Sequence, residues 1–286
     1  MALLELFDGE LEKIRLQKLL FLFTRRQLKS DYDFIPYKFG CYSYSANADL
    51  TAMSTQGILR ESNTSFQKKD EGDYLNQLKD ADKKNLLQLK TLYGKMDSTA
   101  LMKHTYLNFP YYATKSVKAK DLLNTEELNK INEAKPTNDK TILFTIGYEG
   151  ISLEEYLNRL LKNDVKVLVD VRMNPLSMKF GFSKTLLKKY CESLDIKYLH
   201  FPNLGVQSEL RQSLNTQTDY DELFAIYRKK NLKENIDDQR LLLKLLQENK
   251  RIALTCFEAN ICQCHRKHLA DSIQTFPEFS YEVKHI

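Results

Sequence analysis

Residues 142–286 alternate short apolar runs with amphipathic segments, and this alternation restricts the fold more than any other feature of the chain. Residues 142–146 form a continuous apolar run, as expected of a parallel strand covered on both faces. Ser152 and Glu155 stand three apart before Tyr156, Leu157, Leu160 and Leu161, the capping-box pattern of a helix start. The spacing then predicts a strand over 165–171, a helix over 183–195, a strand over 197–201, helices over 220–230 and 237–249, a strand over 252–257, a helix over 265–276 and a last strand over 281–286. Strands that alternate with helices make an α/β fold, a mostly parallel sheet flanked by helices.

The first 135 residues read differently. Leu11, Ile14, Leu16, Leu19, Leu20, Leu22 and Phe23 recur at helical spacing over 10–27. An aromatic stretch over 32–44 holds Pro36 and Gly40 and reads as a turn-rich connector. Ser45 is placed to cap a helix over 46–56, with Gly57 as its stop and a short strand over 58–60. Two further helices are expected near 80–96 and 97–107. Helix, stop and short strand suit a mainly helical, winged-helix-like domain. Residues 132–140 are polar, hold Pro136 and separate the two styles. Two domains follow, 1–135 and 141–286.

Composition excludes several classes. Of 286 residues, 42% are hydrophobic and 28% charged, which excludes a disordered chain. No apolar run approaches the roughly 20 residues a bilayer crossing needs, and the acidic N-terminus is not a secretory signal. The expected location is the cytoplasm, with no membrane partner. The net charge of +5 is spread evenly: 21 basic against 18 acidic residues before Asn138, 22 against 20 after it. Charge therefore singles out neither half as a nucleic-acid binder. The five cysteines are odd in number and argue against a disulfide framework. Three of them, Cys256, Cys262 and Cys264, fall within nine residues, which points to local chemistry.

Ligand sites of open α/β sheets lie at the carboxyl ends of the strands, and polar groups gather at each end here. Tyr148 and Glu149 follow the first strand, and Asp170 and Arg172 end the second, with Lys179 and Lys184 in the loop beyond. His200 and Asn203 follow the third strand. Glu258, Cys264, His265 and Arg266 follow the fourth. Asp170, Glu258 and Cys264 are the candidates for catalysis. The others are candidates for binding a substrate or an anion. Cys264 stands at a helix start, where the dipole and neighbouring cations lower a thiol's pKa. It could serve as nucleophile, as part of an anion site, or as a buried structural residue. Asp170 and Arg172 share one side of a strand, and a structural ion pair is the plainer reading of Asp170. Cys256, Cys262, Cys264 and His268 could supply zinc ligands, but the segment lacks a C-x-x-C pair. Neither a metal nor a cofactor is assigned. A thiol switch would pair Cys256 with Cys262 or Cys264, since neighbours one residue apart bridge poorly. In the first domain, Arg25, Arg26 and Lys29 cluster at a helix end and Lys38 lies among Tyr37, Tyr42 and Tyr44; these could face a nucleic acid, or simply be basic charge favoured at a helix C-terminus beside core aromatics.

These residues carry a resemblance. Thr145 through Gly150, Leu168 through Arg172 with Pro175 and Ser177, Gly181 through Lys184, His200 through Gly205, and Cys256 through Glu258 with Cys264 through Arg266 resemble the domain of unknown function 488 family in order and spacing. That resemblance covers 141–286 and implies an α/β domain with a polar strand-end site. More weakly, Leu16 through Leu20, Pro36 through Gly40, and Asp49, Leu50, Gly57 and Ile58 resemble a Panacea-type antitoxin-associated, winged-helix-like module. Together the two resemblances suggest action directed at DNA or RNA, in a setting such as phage defence, and the strand-end cluster suggests an enzyme acting on a nucleic acid or nucleotide and recruited by the first domain. The alternative is a sensor that binds the same phosphate-bearing ligand without turning it over.

Overall fold

A computed structural model describes residues 1–207, 214 and 216–286. The chain forms two units, Met1–Lys135 and Pro136–Ile286.

The first unit runs α1 (Ala2–Leu6), β1 (Glu10–Glu12), α2 (Lys13–Thr24), β2 (Ile35–Tyr37), β3 (Gly40–Tyr42), α3 (Tyr44–Thr55), β4 (Leu59–Glu61), β5 (Ser65–Lys68), α4 (Asp80–Tyr93), α5 (Ser98–Asn108), α6 (Pro110–Ala113), α7 (Ala119–Leu122) and α8 (Thr125–Glu133). A three-stranded antiparallel sheet has the order β1-β5-β4, and β2 pairs with β3 as a separate ribbon. Leu11, Leu19, Phe21, Phe66, Leu86 and Leu89 are among the buried residues of its core. Phe21 meets Phe34, Phe109 and Tyr112 edge-on at centroid distances of 5.2, 5.0 and 4.7 Å.

Three details differ from the sequence expectation. The helix expected over 10–27 begins only at Lys13. Residues 10–12 instead pair with β5, Leu11 opposite Phe66, after a turn in which Asp8 and Gly9 both take positive φ. Tertiary pairing here overrides a helical apolar pattern. The connector over 32–44 contains the β2–β3 ribbon, with Lys38 and Phe39 at its tip between Tyr37 and Gly40. The cap of α3 is Ser43 rather than Ser45: its side chain accepts from the Ala46 amide at 3.2 Å. Gln17 on α2 explains the choice, because its amide group bonds both the N–H and the C=O of Ser43.

The second unit contains β6 (Ile142–Gly147), α9 (Leu153–Lys162), β7 (Val167–Asp170), α10 (Lys184–Glu192), β8 (Lys197–His200), α11 (Gln217–Lys229), α12 (Asn231–Glu234), α13 (Ile236–Asn249), β9 (Arg251–Cys256), α14 (His265–Gln274) and β10 (Glu282–His285). The five strands pair in parallel in the order β10-β6-β9-β7-β8. The three inner strands β6, β9 and β7 are buried at every position, which is why they read as unbroken apolar runs. The edge strands β8 and β10 are largely exposed or half-buried. Val167, Val169, Leu246, Ile252, Leu254 and Leu269 belong to the core between sheet and helices. Ser152 caps α9 by accepting from the Glu155 amide at 3.0 Å, while the Glu155 carboxylate turns to Arg159.

Candidate functional site

The strand order creates the site. β9 lies between β6 and β7, so the residues after three different crossovers end side by side. Gly147 pairs with Cys256 and Asp170 with Thr255 at the carboxyl edge. The backbone is tight there. A Cβ on Gly147 would stand 2.0 Å from the Glu258 carbonyl oxygen, so only glycine fits. The amides of Tyr148 and Glu149 both donate to the Phe257 carbonyl, at 3.1 and 2.9 Å.

Asp170 and Arg172 form the rigid centre. Asp170 is fully buried and Arg172 only 7% exposed. Arg172 donates from its backbone N–H and Nε to Asp170 Oδ1, at 3.1 and 2.8 Å, and from Nη2 to Oδ2. Its Nη1 donates to the Tyr148 hydroxyl at 2.8 Å and to the Phe182 carbonyl at 2.9 Å. The Tyr198 hydroxyl completes Asp170 at 2.6 Å. Burial opposes the Arg172 charge, but the hydrogen bonds and charge of Asp170 outweigh it and raise the guanidinium pKa. Most of the Arg172 donors thus hold the protein together. One of them fixes Tyr148, whose ring stacks on Phe182 at 4.2 Å and meets Phe257 edge-on at 5.3 Å.

Around this centre lies a cavity of about 340 Å³ lined by Tyr148, Arg172, Met173, Ser177, Cys256 and Phe257, among others. Leu176, Met178 and Phe257 are exposed at its rim. Lys179 Nζ donates to the Tyr148 carbonyl at 2.8 Å. The Glu149 carboxylate accepts from the Ala259 amide at 2.9 Å and ties two strand-end loops together. Lys184 Nζ lies 2.9 Å from His200 Nδ1, and His200 Nε2 lies 2.8 Å from the Arg172 carbonyl. Since a carbonyl only accepts, His200 is protonated at Nε2 and takes a hydrogen bond from Lys184. Asn203 is exposed and bonds Asp238.

The fourth strand end holds the densest group. Cys256, Cys264 and His265 are fully buried and Glu258 is half-buried. One ligand atom from each of the four lies within 4.8 Å of every other. The Cys256 thiol reaches Glu258 Oε2 at 3.0 Å and His265 Nδ1 at 3.6 Å. Arg266, 3% exposed, donates to the Glu258 and Ala259 carbonyls, and its Nε makes no hydrogen bond among the described residues. Burial pushes the Cys264 thiol well up, with Cys256 and Glu258 adding to the rise against the opposing Arg266. The pKa lowering expected at a helix start is therefore not found, because burial disfavours the thiolate. The zinc set considered from sequence does not assemble. Cys262 is exposed, and His268 packs on Phe224 with Arg228 Nη1 at 3.0 Å. His265 and Glu258 stand beside the two cysteines instead.

Among the candidate nucleic-acid residues, Arg25 bonds the Tyr112 hydroxyl and lies 4.8 Å over Phe21. Arg26 reaches Gln88 at 3.5 Å. Lys29 and Lys38 are exposed, Lys38 beside the Tyr37 ring.

A family model described as Domain of unknown function DUF488 matches residues 152–273. This segment is similar to the DUF488 family. The match begins at the cap of α9 and ends inside α14, so it includes Asp170, Arg172, His200, Glu258, Cys264, His265 and Arg266. Tyr148 and Glu149 lie outside it, although β6, which carries them to the site, belongs to the same sheet as the strands of the matched segment. Comparison with curated proteins found no match, and comparison with solved structures found none either. Sequence reasoning passed over Tyr198 and met Phe182 only within the Gly181 through Lys184 motif, both in the matched segment. Their signal was faint: a tyrosine two residues before His200 on the same strand, and a phenylalanine beside Gly181, whose φ is +86°.

Proposed function

We propose that the second unit is an enzyme acting on a nucleotide or a nucleic acid, and that the first unit recruits it to nucleic acid. The observation that supports this reading is the cavity at the three adjoining strand ends, where Cys256 meets half-buried Glu258 and buried Cys264 and His265. The exposed faces of Phe257, Met178 and Leu176 suit a base, and Lys184 at the start of α10 suits a phosphate. In this reading Cys256 opens on the cavity, with Glu258, Cys264 and His265 grouped behind it. Asp170 and Arg172 are positioning residues, since their polar atoms mostly bind each other and Tyr148. The connectivity of β1, α2, α3 and the β4–β5 hairpin, with the sheet order β1-β5-β4, supports the winged-helix-like reading of the first unit. Lys29 and Lys38 are then its exposed phosphate contacts. The location is the cytoplasm, and phage defence is the setting suggested by the resemblance of the first unit.

The test incubates the full chain with nucleoside phosphates and with single- and double-stranded DNA and RNA, and follows products by mass spectrometry. Turnover is expected, and Glu258→Gln and Cys264→Ser should abolish it in folded protein. Full activity in Cys264→Ala, Glu258→Ala and Arg172→Ala together would overturn the reading. The second reading, a sensor, draws on the mutual pairing of Asp170 and Arg172, which leaves few groups for catalysis. A nucleotide that raises Tm without being consumed would support it.

A further inference from the structure

The Cys256, Glu258, Cys264 and His265 group has the geometry of a metal site. A tetrahedral zinc ion with bonds of about 2.3 Å to sulfur and 2.0–2.2 Å to nitrogen or oxygen sets its ligand atoms roughly 3.5–3.8 Å apart. Cys256 Sγ and His265 Nδ1 are 3.6 Å apart, already at that spacing. Cys256 Sγ and Glu258 Oε2, at 3.0 Å, need a small opening, which the half-buried Glu258 side chain can supply. All four ligand atoms lie within 4.8 Å of one another.

The surroundings fit as well. His265 Nε2 lies 3.0 Å from the Val171 carbonyl. That bond puts the ring proton on Nε2 and the lone pair on Nδ1, the nitrogen facing Cys256, as in imidazoles oriented by an outer partner for metal binding. Two thiolates and a carboxylate around a divalent ion leave one net negative charge. Arg266, bonded to the Glu258 backbone carbonyl, supplies the nearby positive charge.

We propose that Cys256, Cys264, His265 and Glu258 bind a zinc ion at the wall of the strand-end cavity. The inference rests on the reading of that cavity as the functional site. Two sulfurs and an imidazole select zinc over magnesium or calcium, which prefer all-oxygen sites. Both thiols give up their protons to solvent on binding. The cavity reaches Cys256, so the ion would stand at the cavity wall.

The test measures metal in the full chain, purified under reductant and dialysed against zinc. About one zinc per chain is expected. With cobalt in its place, a thiolate-to-cobalt charge-transfer band is expected. Competition against a chromophoric chelator should show Cys264→Ser and His265→Gln binding zinc about tenfold more weakly or worse, with Cys262→Ser unchanged. If a variant fails to fold, the stoichiometry and cobalt spectrum of the unaltered chain decide. No stoichiometric zinc, no thiolate band, or equal weakening by Cys262→Ser overturns the proposal. Nucleotide turnover by a chain that binds no zinc overturns the metal site and leaves the proposed function standing. Zinc bound by a chain that binds no nucleotide leaves the metal site standing and removes the proposed function.

Discussion

Each unit buries at least one cation, and Arg172 and Lys18 are held in different ways. Arg172 in the second unit faces a carboxylate, a phenol and a carbonyl that together engage its planar fork. Lys18 in the first unit is 2% exposed and donates to the Cys41 carbonyl at 2.8 Å. It also lines a cavity of about 620 Å³. Burial lowers the Lys18 pKa, with Cys41 opposing only in part, whereas Asp170 raises that of Arg172. The contrast teaches that burial alone does not reveal a cation's role. A paired, forked guanidinium organises the strand ends around it. A point charge with little compensation adds a cost that the fold tolerates.

The largest test of this contrast is Arg172→Ala. It leaves Asp170 buried with its main partner gone, and should cost about 3–5 kcal/mol in urea unfolding. A loss below 1 kcal/mol, on the order of an exposed pair, would break the comparison. Gly147→Ala comes next. A methyl group against the Glu258 carbonyl should cost about 1–3 kcal/mol, and a neutral result would show that the strand-end loops yield readily. Lys18→Met should cost less, about 1–2 kcal/mol for the undonated Cys41 carbonyl, offset by relief of the buried charge.

The pH dependence of Lys18 sharpens the point. Its folded pKa lies below its unfolded value near 10.5, so the unfolded chain holds the extra proton in the window just below 10.5. Stability therefore rises with pH through that window, and Lys18→Met should flatten the rise in urea midpoints. His268 is a milder case of the same kind. Burial and Arg228 lower its pKa to about 4 from 6.5. The unfolded chain binds the proton between those values, so stability falls as pH drops from 6.5 towards 4. His268→Gln should lose less stability at pH 4.5 than the unaltered chain does. An unchanged acid slope would show that His268 is protonated in the folded state.

Much of the second unit was legible in the residues. Strands β6, β7 and β9 are buried on both faces, so their apolar runs are unbroken and their ends abrupt. Asp170, Arg172, Glu258, Cys264, His265 and Arg266 were visible because polar residues begin where those runs stop. Their roles were less legible. That the Arg172 fork closes on Asp170 and Tyr148 depends on Tyr148, from a strand 24 residues earlier. That His265 rather than His268 meets the cysteines depends on how α14 is rotated against β9. In the first unit, Leu11 carries the same apolar signal in a strand as in a helix, and only its pairing with Phe66 distinguishes them.

The sequence by itself determined the alternation of elements, the doubly buried inner strands and the polar residues that end them. These depend on spacings of two to four residues, which local geometry reads directly. Only the tertiary structure decided that β9 inserts between β6 and β7, that Ser43 caps α3, and that Cys256, Glu258, Cys264 and His265 converge. Strand order follows from the packing of whole crossovers against one another, and no short spacing in the chain encodes it.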